Sequence, residues 1–230
     1  FCDNTVLNIH YIKYISTVQC VRYRSHSAAQ IPARQPSEAV AHFDYPTSMT
    51  VPNPGDLSQR CLWGGAATCV VPTRMVDVSD IRQVPDNQEV FMDTEANQTF
   101  IFEIVEHDVT VPDEECGRYI FEDLVSENEA ESYALETVTT LEPAKVPYVP
   151  AAAYRCLVRG RQVIRQGHEV KDTDVLLAIL RFPWVQSDLI ISMCTPAAAP
   201  ELCVQALAIM AEALSSLQIL LWDLFGGGSQ

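Results

Sequence analysis

The segment Thr99–Val105 (TFIFEIV) is apolar on both of its faces, and this constrains the fold more than any other feature of the chain. In an extended strand Phe100, Phe102 and Ile104 point one way, while Ile101, Glu103 and Val105 point the other. Such a strand must be covered by packed structure on both sides, so it belongs inside a sheet that is itself sandwiched. Its neighbours are equally strand-like. Glu89–Met92 precedes it across the short link Asp93–Gln98. Farther on, Val175–Phe182 and Asp188–Cys194, rich in Leu and Ile, are joined by Pro183–Ser187. Links this short imply antiparallel pairing, because a parallel crossover needs about a dozen residues or more.

Further strands are expected at Leu62–Val71, Ser132–Leu141 and Tyr154–Gln166, the last broken into a hairpin near Gly160. Asp113–Leu124 predicts a helix. It follows Pro112, opens with three acids suited to the positive end of a helix dipole, and repeats Cys116, Ile120 and Leu124 at i, i+4, i+8. Pro200–Leu217 predicts a second, with proline in its first turn and a stripe of Leu202, Ala206, Ile209, Ala213 and Leu217. Helices that fall between groups of strands predict an α/β fold, a mostly antiparallel sheet with helices on both sides. The expected core joins Phe102, Ile104, Leu177, Ile179, Leu189, Ile191 and Ile209.

The chain has 230 residues, enough for one large domain or a domain with an appendage. Ile31–Asp56 carries Pro32, Pro36, Pro46, Pro52 and Pro54 and reads as a linker, while Thr5–Tyr23 upstream has no clean period. The expected division is an N-terminal extension at 1–60 and a domain at 61–230, with the extension dispensable for stability. Phe1–Arg24 mixes Asp3, Asn8, His10 and Lys13 with its apolar residues, so no cleavable signal peptide is expected. No apolar run approaches the length of a membrane-spanning helix. Eight cysteines contain no CxxC and no Cys/His pair at ligand spacing, which argues against zinc and for reduced, buried thiols.

Net charge is −15 and concentrated. From Asp77 to Glu142 there are nineteen acids against two bases, Arg82 and Arg118, whereas Lys145–Arg181 carries seven bases and three acids. Such a middle segment repels phosphate backbones, so no nucleic-acid partner is expected. A solvated acidic face is the commoner meaning of an acid run, but this concentration favours a basic protein partner.

Catalytic chemistry finds no support. His107 and His168 are the histidines of the domain, and neither sits in a motif. There is no GxSxG, no GxxxxGK[ST] and no HExxH. Gly64–Gly65 lacks the third glycine and following helix of a dinucleotide loop, and reads instead as close backbone approach at a strand. Neither cofactor nor metal is expected.

The most informative motif is Asp77–Phe91 (DVSDIRQVPDNQEVF). Asp77 can cap a one-turn helix at Asp77–Ile81, and Pro85–Asp86–Asn87 is a turn by residue chemistry. Preceded by Gly64–Gly65, the apolar strand Ala66–Val71 and Pro72, this motif resembles the Ran guanine nucleotide release factors of the Mog type. The resemblance is carried mainly by Leu62–Glu106, extends to Tyr119–Asp123, Lys171–Thr195 and the closing Trp222–Gly226 (WDLFG), and does not cover residues 1–60. One departure is Arg74–Met75, where the family usually has a small or glycine-containing turn.

The resemblance implies an α/β/α sandwich on an antiparallel sheet, shared with PsbP-like proteins. It also implies binding of Ran, release of its guanine nucleotide and support of nuclear import, without covalent chemistry, in nucleus and cytoplasm. Vertebrate members are in addition associated with surface trafficking of a voltage-gated sodium channel, a second possible partner; a PsbP-like structural protein is the third class. The expected Ran-binding residues are Asp77, Asp80, Arg82, Asp86, Asn87, Gln88, Glu89 and Phe91. Asp77, Asp80 and Glu89 supply charge, Arg82, Asn87 and Gln88 hydrogen bonds, and Phe91 an apolar anchor. Asp77 can equally serve only as the turn cap. Glu103 is either an exposed contact or a buried, paired acid. The expected state is a monomer.

Overall fold

The computed structural model describes residues 57–225. The expected linker and Thr5–Tyr23 lie outside the described residues. A hairpin opens the fold: β1 (Leu57–Leu62), a tight turn at Trp63–Gly65, and β2 (Ala67–Pro72). The single strand expected at Leu62–Val71 is thus cut at its start. Trp63, Gly64 and Gly65 all have positive φ, 48°, 64° and 96°. No atom lies within 4 Å of where a Cβ would stand on either glycine, so the pair answers a turn and not a close approach. β1 also crosses position 61, where the domain was expected to begin.

The main sheet follows. It comprises β3 (Val76–Asp77), β4 (Gln88–Asp93), β5 (Gln98–Glu106), β6 (Ser132–Thr140), β7 (Tyr154–Gln166), β8 (Glu169–Phe182) and β9 (Ser187–Pro196). The order is β3-β4-β5-β9-β8-β7-β6, with every pairing antiparallel. Helix α1 (Asp113–Glu127) joins β5 to β6. Helix α2 (Pro200–Ser216) leads into β10 (Gln218–Ile219), which adds to β2 in a small second sheet.

Strand alternation sorts the core into two layers. On β8, Leu176, Ala178 and Leu180 join Phe100, Phe102, Leu189, Ile191 and Ile209 on the α2 side. Val175, Leu177 and Ile179 face the other way and pack with Cys116, Phe121 and Val125 of α1. The expected single core therefore divides: Leu177 and Ile179 belong to the opposite layer, because an apolar strand buried on both faces serves two cores. The small sheet lies on the α2 side, where Cys69 Sγ donates to Ala213 O at 3.3 Å and Val70 N–H to Ser216 Oγ at 3.0 Å.

β7 runs unbroken through Gly160, and its hairpin turn falls at Gly167. Gly160 is a packing slot. A Cβ there would stand 2.3 Å from Phe121 Cζ and 2.9 Å from Ala134 O. The buried stripe of α1 runs through Cys116, Gly117, Phe121 and Val125, rotated from the expected Cys116, Ile120 and Leu124, since Phe121 fills that slot. The closing Trp222–Phe225 turn lays Phe225 and Trp222 against Phe182, with ring centroids 5.4 and 5.3 Å apart.

Candidate partner-binding site

The motif singled out from sequence occupies one edge of the main sheet: β3, the loop that follows it, and β4. A short 3-10 turn at Val78–Asp80 begins the loop, and Asp77 caps it, accepting Ser79 N–H at 2.8 Å. Val78, Val90, Met92 and Ile101 bury together beneath it and tie the loop to the sheet. Gln88 N–H donates to Pro85 O at 2.9 Å, closing the expected Pro85–Asn87 turn. Arg74 and Met75 also support this edge. Met75 is in the core, and Arg74 Nε donates to Asp93 Oδ2 at 2.6 Å, at the turn between β4 and β5.

On this scaffold the eight expected residues separate by face. Asp80, Asp86 and Asn87 are exposed, and Asp77, Arg82 and Glu89 are half-buried. Glu89 is held in place: Trp63 N–H donates to its Oε1 at 2.5 Å. Burial pushes the Glu89 carboxyl above its usual range, the Trp63 hydrogen bond opposes this, and nearby Asp77 adds to it. None of Asp77, Asp80, Asp86 or Glu89 forms a salt bridge among the described residues.

Two residues stand elsewhere. Phe91 is 1 % exposed and packs edge-on against Phe102 at 6.1 Å, so it anchors the sheet core and offers no surface to a partner. Gln88 is buried on the opposite face of β4, with its Nε2 donating to Glu103 Oε1 at 2.8 Å. Asn87 Nδ2 reaches Ile104 O at 3.0 Å and Glu103 Oε1 at 3.4 Å. Glu103 is therefore the buried, paired acid, 6 % exposed. Burial raises its carboxyl to about 7; the Gln88 and Asn87 amides oppose the shift, and Asp123 reinforces it.

Sequence reading passed over a second polar cluster. Arg181, 2 % exposed, stands at the end of apolar β8. Its guanidinium donates to Asp113 Oδ1 at 2.7 Å and to the carbonyls of Asp108 and Val111 at 2.9 Å each, with Asp188 Oδ2 at 3.4 Å. His107 Nδ1 lies 2.8 Å from Asp188 Oδ1. Burial drives the Asp188 carboxyl up, while His107 and Arg181 hold it down. The one sequence signal was an arginine closing the apolar run Val175–Leu180. Every carboxylate in this knot that touches Arg181 or His107 is compensated internally, and the knot fastens the entry to α1.

The bases counted at Lys145–Arg181 are largely spent in the same way. Arg159 meets Glu136 and Asp174, Arg161 meets Asp172, and Arg165 meets Glu131. None of these bases meets the β3–β4 edge.

Known proteins align with this architecture. The family model described as Ran-interacting Mog1 protein matches residues 60–196. The Ran guanine nucleotide release factor of Danio rerio is 33% identical over 143 residues, spanning 60% of this chain and 77% of that protein. Its Bos taurus counterpart is 35% identical over 137 residues, 59% of this chain and 74% of that protein. In structure, the Saccharomyces cerevisiae Ran-binding protein Mog1p superposes with a TM-score of 0.59 at 19% identity, covering 74% of this chain and 98% of its own. Cyanobacterial PsbP from Synechocystis does so with a TM-score of 0.50 at 12% identity, covering 75% and 97%. At such identities the structural likeness speaks for the fold alone: an α/β/α sandwich on an antiparallel sheet, as expected. With more than half its length matched by the family model, the chain belongs to the Ran-interacting Mog1 family.

Proposed function

We propose that the chain binds the small GTPase Ran through its β3–β4 edge and promotes release of the bound guanine nucleotide, in support of nuclear protein import. It acts by binding and not by covalent chemistry, in nucleus and cytoplasm. The observation that carries the reading is the edge itself. Asp77, Asp80, Asp86 and Glu89 crowd one loop that is fixed from below and lacks a compensating salt bridge among the described residues. A fixed, mainly acidic patch that exposes Asp80 and Asp86 is what a basic partner surface reads.

Nucleotide release then follows from differential affinity. A GTPase holds its nucleotide with a P-loop lysine, a backbone cradle and Mg²⁺. A carboxylate presented on the β3–β4 edge competes for that lysine or displaces the segments that hold the metal. The partner thereby binds the nucleotide-free form more tightly and shifts the population toward it. Asp80 and Asp86 are the residues free to make first contact, whereas Glu89 is partly committed to the Trp63 turn.

Pull-down of the full chain with GDP-loaded, GTP-loaded and nucleotide-free Ran tests the reading. Preferential capture of the nucleotide-free form supports it, and equal capture of all three removes the release mechanism. No capture of any form removes the partner.

A further inference from the structure

Cys116 of α1 and Cys156 of β7 face each other between helix and sheet, both free thiols, with their Sγ atoms 4.0 Å apart. The helix lies close on the strand here. A Cβ on Gly117, the next residue, would stand 3.3 Å from Cys156 Sγ. Joining the sulfurs therefore asks for a closure of about 2 Å, shared between two side-chain rotations. Access is one-sided. Cys156 is wholly buried, but Cys116, 1 % exposed, lines a cleft between α1 and strands β5, β8 and β9 whose lining also includes exposed Glu106 and Tyr119. A small reagent entering the cleft meets Cys116 and not Cys156. Cys156, donating to it, holds the Cys116 thiol below its ordinary range, and Arg181 of the same cleft adds to this against burial. The same contact, with burial, pushes Cys156 up. Elsewhere burial prevails: Cys69 and Cys194 are pushed up to about 12 and Cys203 to about 11, so those thiols stay protonated.

We propose that Cys116 and Cys156 are an oxidation site, at which hydrogen peroxide entering the cleft converts the facing thiols to a disulfide that ties α1 to β7. The Cys116 thiolate attacks one peroxide oxygen and becomes a sulfenic acid. The O–O bond breaks, and the departing hydroxide takes up the proton that Cys116 gave up, leaving as water. Cys156 sulfur then displaces the sulfenic hydroxyl, which leaves with the Cys156 proton as a second water. The two thiols lose two electrons in all, and the peroxide gains them. A peroxide suits the site because it is small, whereas oxidised glutathione is too bulky to bring a sulfur to so buried a thiol. The cysteines are 40 residues apart in the chain, so the bond closes a long loop and restricts the unfolded state. The site stands apart from the β3–β4 edge and holds whether or not that edge binds Ran.

The test treats the folded, reduced full chain with hydrogen peroxide, blocks remaining thiols with N-ethylmaleimide in denaturant, and maps tryptic peptides without reduction. Gln83–Arg118 and Cys156–Arg159 each carry one member of the pair and no other cysteine. They are expected to appear joined, lighter by two hydrogens than their sum, and to separate on treatment with dithiothreitol. The oxidised chain should melt several degrees higher, and oxidised glutathione should form the bond about tenfold more slowly. In Cys156→Ala, dimedone should trap Cys116 as the sulfenic acid. The unaltered chain remains decisive if that variant does not fold. Failure of the two peptides to join while exposed Cys61 is oxidised overturns the proposal. So does joining no faster than in urea, an equal rate with oxidised glutathione, or a melting midpoint that does not rise.

Discussion

Asp188 and Asp113 meet Arg181 at the entry to α1, whereas Asp80 and Asp86 on the β3–β4 edge meet no base among the described residues. Both regions are acidic turns beside the same sheet. In the first, Arg181 and Asp188 are buried and half-exposed Asp113 is answered by the same guanidinium, so the charge contributes to holding one conformation. In the second, charge is exposed on a loop already fixed by Val78 and the Asp77 cap, so its removal should barely trouble the fold. The difference separates acids that hold the fold from acids that a partner can read, a distinction net charge alone does not make.

The comparison breaks most visibly at Arg181. Arg181→Leu leaves Asp188 buried with only His107 and the Phe182 backbone N–H beside it and frees the carbonyls of Asp108 and Val111. The expected loss is about 3–5 kcal/mol, read as a fall in the denaturant midpoint. A loss under about 1 kcal/mol would make the knot dispensable.

Glu103 lies between the two regimes, buried like Asp188 yet without a base. Its folded carboxyl is held near 7 against an ordinary value of 4.5, so the neutral form favours folding. That contribution is fully present below about pH 4.5 and is lost as pH rises through 7, to the extent of about 3 kcal/mol. Glu103→Gln should therefore flatten the decline in stability between pH 5 and 8 relative to the unaltered chain. Parallel pH profiles would contradict this account of Glu103. Smaller again is Gly160→Ala, where the new methyl meets the Phe121 ring and Ala134 O. Overpacking there should cost about 1–3 kcal/mol, whereas a hairpin at Gly160 would have tolerated it. Least of all, Asp80→Lys and Asp86→Lys should change stability by no more than about 0.5 kcal/mol.

The strands and α2 were legible because short links and two-residue alternation leave few choices. Thr99–Val105 alone required a covered, central strand, and it is paired on both sides by β4 and β9. What alternation does not say is which layer each face joins, so Leu177 and Ile179 were grouped with Phe102 across the sheet. The Gly64–Gly65 pair marked a backbone need but not which one, until the positive φ at Trp63 placed the turn. At the edge, the acids were legible from residue type. Burial was not: Phe91 and Gln88 stand in the same motif as Asp86 and Glu89, and β4 is covered on both faces, so Phe91 is buried although it shares a face with half-buried Glu89. Arg181 gave a faint signal, one base closing an apolar strand, because its partners come from Asp108 to Asp113, some seventy residues away in the chain.

The central claim is that the edge acts through placed charge. Asp113, an acid outside the motif, is unsuitable as a control because it holds Arg181; Glu114 and Glu115 are exposed and lie in no salt bridge of the described residues. The direct measurement follows release of a fluorescent guanine nucleotide from Ran at several salt concentrations, with the full chain and its variants. Salt near physiological strength screens charges beyond about 8 Å, so steering by the edge should weaken steeply as salt rises. The account predicts that Asp80→Lys and Asp86→Lys slow association and flatten its salt dependence, while Glu114→Lys and Glu115→Lys do much less. Equal losses at both pairs of positions would reduce the edge to bulk charge, and no loss at Asp80 and Asp86 would contradict the assignment of the site.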